Sequence, residues 1–311
     1  MFLFFGLIEN QSFSFKFGTK NSEQHSMTTV DIALPTYMRS DLISETLGSV
    51  KAQTYTDWRC WIAEDGKTSE TLAAAKPFLK DERFQYLPGK HSGTPAVPRN
   101  RAIVQGSAPY IAFLDDDDLW LPEKLAKQVD FLSRHPGCVL LGCNGYLRSG
   151  QSAWNREAPL YFEKLPLGRL SYERILEQDY FINSSVIISR KVLRHSGLIN
   201  ERLFTGPGSE DYEFWLRIAS LGEAWVMSEP LIVYRDSSSS KVGTRTRQDR
   251  IESYRANAKI YASALRGVDG TPSPLMYPEN RRYADACRNK RDFYRAGPRF
   301  LGRLRHNIVV T

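Results

Sequence analysis

An α/β fold, with a mostly parallel central sheet flanked by helices, is predicted by three features of this chain. Between Val30 and Leu114, short apolar stretches alternate with stretches of helical spacing. Alternation of that kind calls for parallel strands joined by crossover helices. Each apolar stretch ends in a polar turn, as at Pro35-Thr36-Tyr37 and Glu64-Asp65-Gly66. The run Tyr110 to Leu114 empties directly into four carboxylates, Asp115 to Asp118. Acids therefore leave the carboxyl end of a strand, where open α/β sheets bind their ligands.

The elements follow in order. Val30–Leu34 is the first strand, and a helix runs from Asp41 to about Ala52 with Leu42, Leu47 and Val50 on one side and Ser40 or Asp41 as cap. Trp58–Ala63 is the second strand, Ser69–Leu79 a helix and Phe84–Leu87 a short third strand. A helix holding Asn100 to Val104 leads into the strand before the aspartates. Leu119-Trp120-Leu121-Pro122 opens a helix running to about Arg134, and Val139–Cys143 is a strand. Residues 148–166 lack periodicity and read as loops, the segment from Phe181 holds a strand ending at Ser189, and Lys191–Ser196 is a short helix. A loop over residues 205–211 delivers Glu210 and Asp211 to an amphipathic helix with Phe214, Leu216 and Ile218 turned inward. Arg250–Leu265 is helical with a partial apolar face, and from Arg281 the tail is basic and aromatic.

Composition bounds the class. With 311 residues, 41% hydrophobic and 25% charged, the chain fits one large or two small domains. No apolar run approaches the roughly 20 residues of a membrane-spanning helix. Met1 to Ile8 is apolar but lacks a basic lead and a small-residue cleavage site. Residues 1–27 therefore read as a disordered leader or as lying upstream of a true start at Met27. Cys60, Cys138, Cys143 and Cys287 show no CxxC spacing, so they read as reduced thiols of a cytoplasmic protein. A formal charge of +7 favours an anionic partner: a nucleotide, a polyanionic glycan or a membrane surface. No nucleic-acid-binding motif occurs, and neither GxGxxG nor a Walker pattern is present.

Two acidic groups carry the chemistry. Four adjacent carboxylates repel one another, so a cation belongs among them. Oxygen ligands without His or Cys suit Mg²⁺ or Mn²⁺ shared with substrate phosphates. An acidic turn at a helix start explains Asp115–Asp118 equally well on this stretch alone. Glu210 and Asp211, at the start of their helix, are explained better by capping than by catalysis when taken in isolation.

The motifs ALPTY (Ala33 to Tyr37), SVKAQTYTDW (Ser49 to Trp58), EDG (Glu64 to Gly66), PRNR (Pro98 to Arg101) and FLDDDDLWLPEKL, with SVIISR (Ser185 to Arg190), EDYEFWLR (Glu210 to Arg217) and Tyr234-Arg235, resemble the family 2 glycosyltransferases, inverting nucleotide-sugar-dependent enzymes of the GT-A fold. The resemblance covers about Val30 to Arg235 in family order. It implies a Rossmann-like GT-A sheet over residues 28–240, with 241–311 as a helical basic extension.

By the same resemblance, Pro35, Thr36 and Tyr37 line a uracil pocket in which the Asp65 carboxylate accepts the base N3–H. Arg99 meets the nucleotide or its diphosphate. Asp115 and Asp117 form the DxD motif, with Asp117 as direct metal ligand, Asp115 beside it and Asp116 toward the ribose; Asp118 caps the following helix. Asp211 becomes the general base and Glu210 its neighbour. The implied partners are a UDP-sugar or related donor and a glycan or lipid-linked acceptor, in polysaccharide or glycoconjugate synthesis. The basic tail reads either as a solvated basic face or as a peripheral contact at the inner face of a membrane.

Two positions depart from the family. The His that often follows Tyr-Arg is replaced by Asp236-Ser237-Ser238, leaving Lys241, Arg245 or Arg247 to grip a diphosphate, and Glu64 stands where Asp is usual. A nucleotidyltransferase would need a Gly-rich basic loop after the first strand, and Pro35 to Ser40 holds no Gly. A non-catalytic basic binding protein is the third reading, opposed by the presence of Asp117 and Asp211.

Overall fold

The computed structural model describes residues 29–149, 154–203, 209–236, 247–268 and 271–303, with backbone alone for 247–254 and 297–303. The leader, residues 205–208 of the acid-bearing loop, Ser237, Ser238, Lys241 and Arg245 lie outside the described residues. Arg247 is described only by its backbone.

Among the described residues, nine strands form one sheet. Strands β1 (Val30–Thr36), β2 (Trp58–Glu64), β3 (Phe84–Pro88) and β4 (Tyr110–Phe113) run in parallel, in the spatial order β3-β2-β1-β4. The helices between them are α1 (Ile43–Lys51), α2 (Ser69–Ala75) and α3 (Ala96–Gln105). The sheet then turns mixed. Next to β4 lies the antiparallel β8 (Ile187–Ser189), then β6 (Cys138–Ser149). Beyond β6 comes the parallel β9 (Glu223–Asp236), which carries two short antiparallel strands, β5 (Leu119–Trp120) and β7 (Gly168–Leu170).

Period-two alternation along the strands gives the sheet two apolar faces. Ile32, Leu34, Cys60, Ile62 and Ala112 pack with Ile43 and Leu47 of α1 and with α4 (Lys124–Arg134). Ala33, Trp61, Ala63, Ile111 and Phe113 pack on the other side. There they meet α3, α5 (Tyr172–Glu177), α7 (Ser209–Ala219), α8 (Arg247–Arg266) and α9 (Arg281–Arg303). A short α6 (Leu193–Ser196) completes the helices. Burial on both faces is why β1, β2 and β4 are mainly apolar on both sides rather than alternating apolar and polar.

Several local expectations change. Leu119 and Trp120 do not begin a helix: they pair with Val233 and Ile232, and α4 starts only at Lys124. Asp118 does not cap it. Its carboxylate instead accepts Ser184 Oγ at 2.6 Å and Arg235 N at 2.8 Å. Helix α1 starts after Leu42 with no side-chain cap. All residues of α7 are buried, so it is a core helix with no solvent face. Its charges are matched internally: Arg217 and Glu213 are both 0% exposed and joined at 2.8 Å, and Arg217 also donates to the carbonyl of Leu198 at 2.9 Å. Such a pair is neutral only while both partners are present.

The C-terminal helices belong to the same core. Tyr261 of α8 donates to Leu176 O at 3.1 Å, and Ala284 and Cys287 of α9 are buried beside it. The four cysteines are free and buried. Among the described residues no helix is long and apolar enough to cross a membrane.

Candidate active site

Because β2, β1 and β4 are parallel neighbours, their carboxyl ends open on one edge of the sheet. That edge presents Asp65, then Pro35-Thr36-Tyr37, then Asp115–Asp118. All of these but the buried Asp118 line a cavity of about 1080 Å³ that also takes in Arg99 of α3 and Glu210 and Asp211 of α7. Pro35, Thr36, Tyr37, Asp65, Arg99, Asp115, Asp116, Asp117, Glu210 and Asp211 therefore share one cavity.

Arg99 holds the two acidic groups together. Its Nη2 lies 2.6 Å from Asp115 Oδ1, while Nη1 lies 3.1 Å from Glu210 Oε1 and 2.7 Å from Asp211 Oδ1. A planar guanidinium can serve several carboxylates in fixed directions, which an ammonium cannot. Burial opposes a charge on Arg99, yet the surrounding carboxylates outweigh it and hold its pKa above the ordinary value. The structure thus places Arg99 among acids, with the remaining cavity beside it.

The aspartates differ in surroundings. Asp115 Oδ1 also accepts Asn183 Nδ2 at 2.9 Å, and its backbone N–H donates to Ser184 Oγ at 3.0 Å. Asp116 faces Tyr37, whose N–H lies 3.4 Å from Oδ2; burial raises its carboxyl to about 7. Asp117 pairs with Arg39 at 3.8 Å, and burial followed by the nearby Asp115 charge raises its pKa. Its carbonyl is held by Arg235 Nε at 2.9 Å.

Asp65 is already bonded by its own chain. Oδ1 accepts Ser92 N at 2.8 Å and Ser92 Oγ at 2.7 Å, Oδ2 accepts Gly93 N at 3.0 Å, and His91 Nδ1 lies 3.0 Å from Oδ2. Gly93 makes this fold-back with φ +77°, where a side chain is strained. His91 in turn stacks on Tyr37, with ring centres 4.3 Å apart. Glu64, the substitution noted above, is fully buried and takes Thr68 Oγ1 at 2.6 Å, with Tyr86 OH on its other oxygen.

Glu210 and Asp211 sit in the first turn of α7, at the positive end of its dipole. Burial raises both pKa values, that of Asp211 well above the usual carboxylate range, with Arg99 pulling each back down. A buried carboxylate kept basic in this way suits proton abstraction.

The metal question turns on these contacts. Among the described residues no group of three Asp, Glu, His or Cys side chains forms a ready cage. Asp117, however, faces the cavity with the distant Arg39 as its only ion-pair partner among the described residues. That fits Mg²⁺ or Mn²⁺ held by one or two carboxylates and completed by substrate phosphates and water.

Arg39, His91, Ser92, Asn183 and Asp179 escaped the sequence reading as site residues. They lie in turns without periodicity, and only chain folding brings them to the cavity. Composition offered no signal for them.

Comparison with known proteins identifies the family and the fold. The family model described as Glycosyl transferase family 2 matches residues 31–197. The UDP-Glc:alpha-D-GlcNAc-diphosphoundecaprenol beta-1,3-glucosyltransferase WfgD of Escherichia coli is 26% identical over 189 residues, 61% of this chain and 69% of that protein. The structure of S. aureus TarS 1-349 in complex with UDP-GlcNAc superposes with a TM-score of 0.62 at 17% identity, covering 88% of this chain and 75% of that one. Mannosyltransferase PcManGT from Pyrobaculum calidifontis, in complex with GDP-Man and Mn2+, gives a TM-score of 0.56 at 17% identity, over 91% of this chain and 77% of that one. The fold is the GT-A fold.

Proposed function

Because this chain belongs to glycosyl transferase family 2, and is a glycosyltransferase, we propose that it moves a sugar from a UDP-sugar to a hydroxyl of a glycan or lipid-linked acceptor, with inversion and with a divalent metal. The single observation that carries this reading is Arg99, which joins the acids at the strand end to the acids of α7 across one cavity.

The cavity lining holds seven carboxylates, Asp65, Asp115, Asp116, Asp117, Asp179, Glu210 and Asp211, against Arg39 and Arg99. A dianionic diphosphate cannot enter such a surface without added positive charge. A divalent ion bound there would supply that charge, as a Lewis acid for the departing phosphate. Asp117 would hold it, with Asp115 adjacent. Thr36 and Tyr37 would flank the base, Asp65 would shape the 91–93 turn beside it, and Asp116 would meet the ribose. Asp211, on the α7 side, accepts the proton of the attacking hydroxyl, and Arg99 keeps its carboxylate oriented. Attack opposite the leaving group inverts the anomeric centre, through an oxocarbenium-like state.

The acceptor class is supported by the similarity to WfgD, a beta-1,3-glucosyltransferase of alpha-D-GlcNAc-diphosphoundecaprenol. Polysaccharide synthesis on a lipid carrier would bring the chain to a membrane surface. The exposed Arg281, Arg282, Phe293 and Arg295 of α9 support peripheral contact with anionic lipid. A cytoplasmic site at the inner leaflet fits its free cysteines.

The test is a screen of UDP- and GDP-sugars for enzyme-dependent hydrolysis and transfer, with Mn²⁺ or with EDTA. Metal-dependent turnover of a UDP-sugar with inverted product is expected. Turnover unaffected by EDTA, or a product that keeps the donor's configuration, would overturn the reading.

A further inference from the structure

Asp179 is a carboxylate of the cavity with no part in the scheme above and, unlike Glu210, no pairing with Arg99. Asp179 lies between α5 and the 3-10 turn Asn183–Ser185, and it lines the cavity together with Asp211. One oxygen, Oδ1, accepts Phe181 N at 2.9 Å. Among the described residues no donor or cationic side chain meets its second oxygen. Burial without a compensating cation pushes its carboxyl up to about 7, and its charge is felt by Asp211. A polar group in that state gains from a ligand that donates hydrogen bonds.

Its surroundings are those of a sugar site. The Phe181 ring is seated over Gly142, where a Cβ would fall 2.9 Å from Cδ1, so the turn bearing Asp179 is anchored to the sheet. Tyr161 and Phe181 line the cavity beside it, and Asn257 and Ile260 of α8 close that wall. Aromatic rings suit the apolar face of a pyranose, and a carboxylate oxygen suits its hydroxyls. The α8 wall lies beyond residue 197, where the family match ends, so this part of the cavity is built by the chain's own C-terminal helices.

We propose that Asp179 is an acceptor-binding residue: its free oxygen accepts hydroxyl hydrogen bonds from a pyranose acceptor lying against Tyr161 and Phe181, which presents the attacking hydroxyl to Asp211. The proposal rests on the glycosyltransferase reading and names the acceptor class of that same site. Asn183 and Asp115 remain on the far side of the Arg99 fork, so donor and acceptor draw on different carboxylates.

The experiment compares wild type with Asp179→Asn and Asp179→Glu, using the UDP-sugar that wild type turns over and a panel of methyl and octyl pyranosides as acceptors. Asn keeps an oxygen for Phe181 N–H but replaces the free oxygen by a donor. Asp179→Asn is expected to raise acceptor KM roughly tenfold or more, with kcat reduced less and UDP affinity by calorimetry within about twofold. Asp179→Glu should recover part of the loss. An unchanged acceptor KM, or an equal fall in UDP affinity and melting temperature, would overturn the assignment. Donor hydrolysis by wild type with transfer to no pyranoside would also overturn it, while sparing the donor-side reading. No turnover of any nucleotide-sugar would instead count against the glycosyltransferase scheme itself.

Discussion

Arg99 and Asp211 are joined at 2.7 Å between Nη1 and Oδ1, although they stand 112 positions apart in the chain, on α3 and α7. The other arm of the same guanidinium reaches Asp115 at 2.6 Å. One side chain therefore sets the spacing between the acids at the strand end and the acids of the buried helix. It also makes that many carboxylates tolerable in one place.

Removing that cation leaves buried acids uncompensated. Arg99→Gln is expected to destabilise the fold by about 3–5 kcal/mol, and Arg99→Lys by less but with transfer still impaired, because an ammonium cannot reach both sides. Glu210 and Asp211 then sit even further above their unfolded pKa values, so their penalty grows as pH rises and fades as they protonate. Urea melts at pH 8 and pH 5 check this: the Arg99→Gln deficit should be smaller at pH 5.

Asp211→Asn separates a base from a helix cap, since Asn caps about as well as Asp. Transfer should fall by about 10²–10⁴-fold with UDP affinity and the fold retained. Glu210→Gln is the control; a larger loss there would transfer the role to Glu210. Near-native rates in a folded Asp211→Asn enzyme would defeat the mechanism.

Asp117→Ala should abolish transfer and erase the difference in UDP affinity with and without Mn²⁺. Calorimetry reads this directly, without turnover. If wild type itself binds UDP equally well in EDTA, the metal reading fails.

The pH profile has a sign. Burial holds the Asp211 carboxyl above its ordinary range, and the base works only when deprotonated. Activity is therefore lost as pH falls through that raised value, and the acid limb of kcat/KM should lie well above the roughly 3.9 of a free Asp. The limb should vanish in Asp211→Asn. A flat profile down to pH 4 would contradict the assignment.

Helix α9 has two faces with different expected effects. Truncation after Asn280 removes the buried Ala284 and Cys287 and the Tyr283 ring packed 4.4 Å from Tyr172, so a loss of at least about 2 kcal/mol is expected. Arg281→Glu with Arg295→Glu touches only exposed positions and should change stability by about 0.5 kcal/mol or less. The same double variant should sediment less with phosphatidylglycerol vesicles. Equal sedimentation would remove the membrane contact.

What the sequence by itself determined is the α/β class, the parallel strands from Val30 to Phe113, the family and the acids at the strand and helix ends. Those features are local: apolar runs of strand length, turns at their ends, and motifs only a few residues long. Strand β9 could not be read in the same way, because Glu223 to Asp236 mixes exposed, half-buried and buried residues along a strand that meets β5, β6 and β7. Leu119-Trp120 read as helix because its pairing partners lie more than a hundred residues away. The tertiary structure alone decided that Arg99 spans the acids, that residues 91–93 occupy Asp65, and that Asp118 ties the turn to Ser184 and Arg235. Each is a long-range hydrogen bond, set by where the sheet edge and α7 meet, and no periodicity in the chain encodes such a meeting.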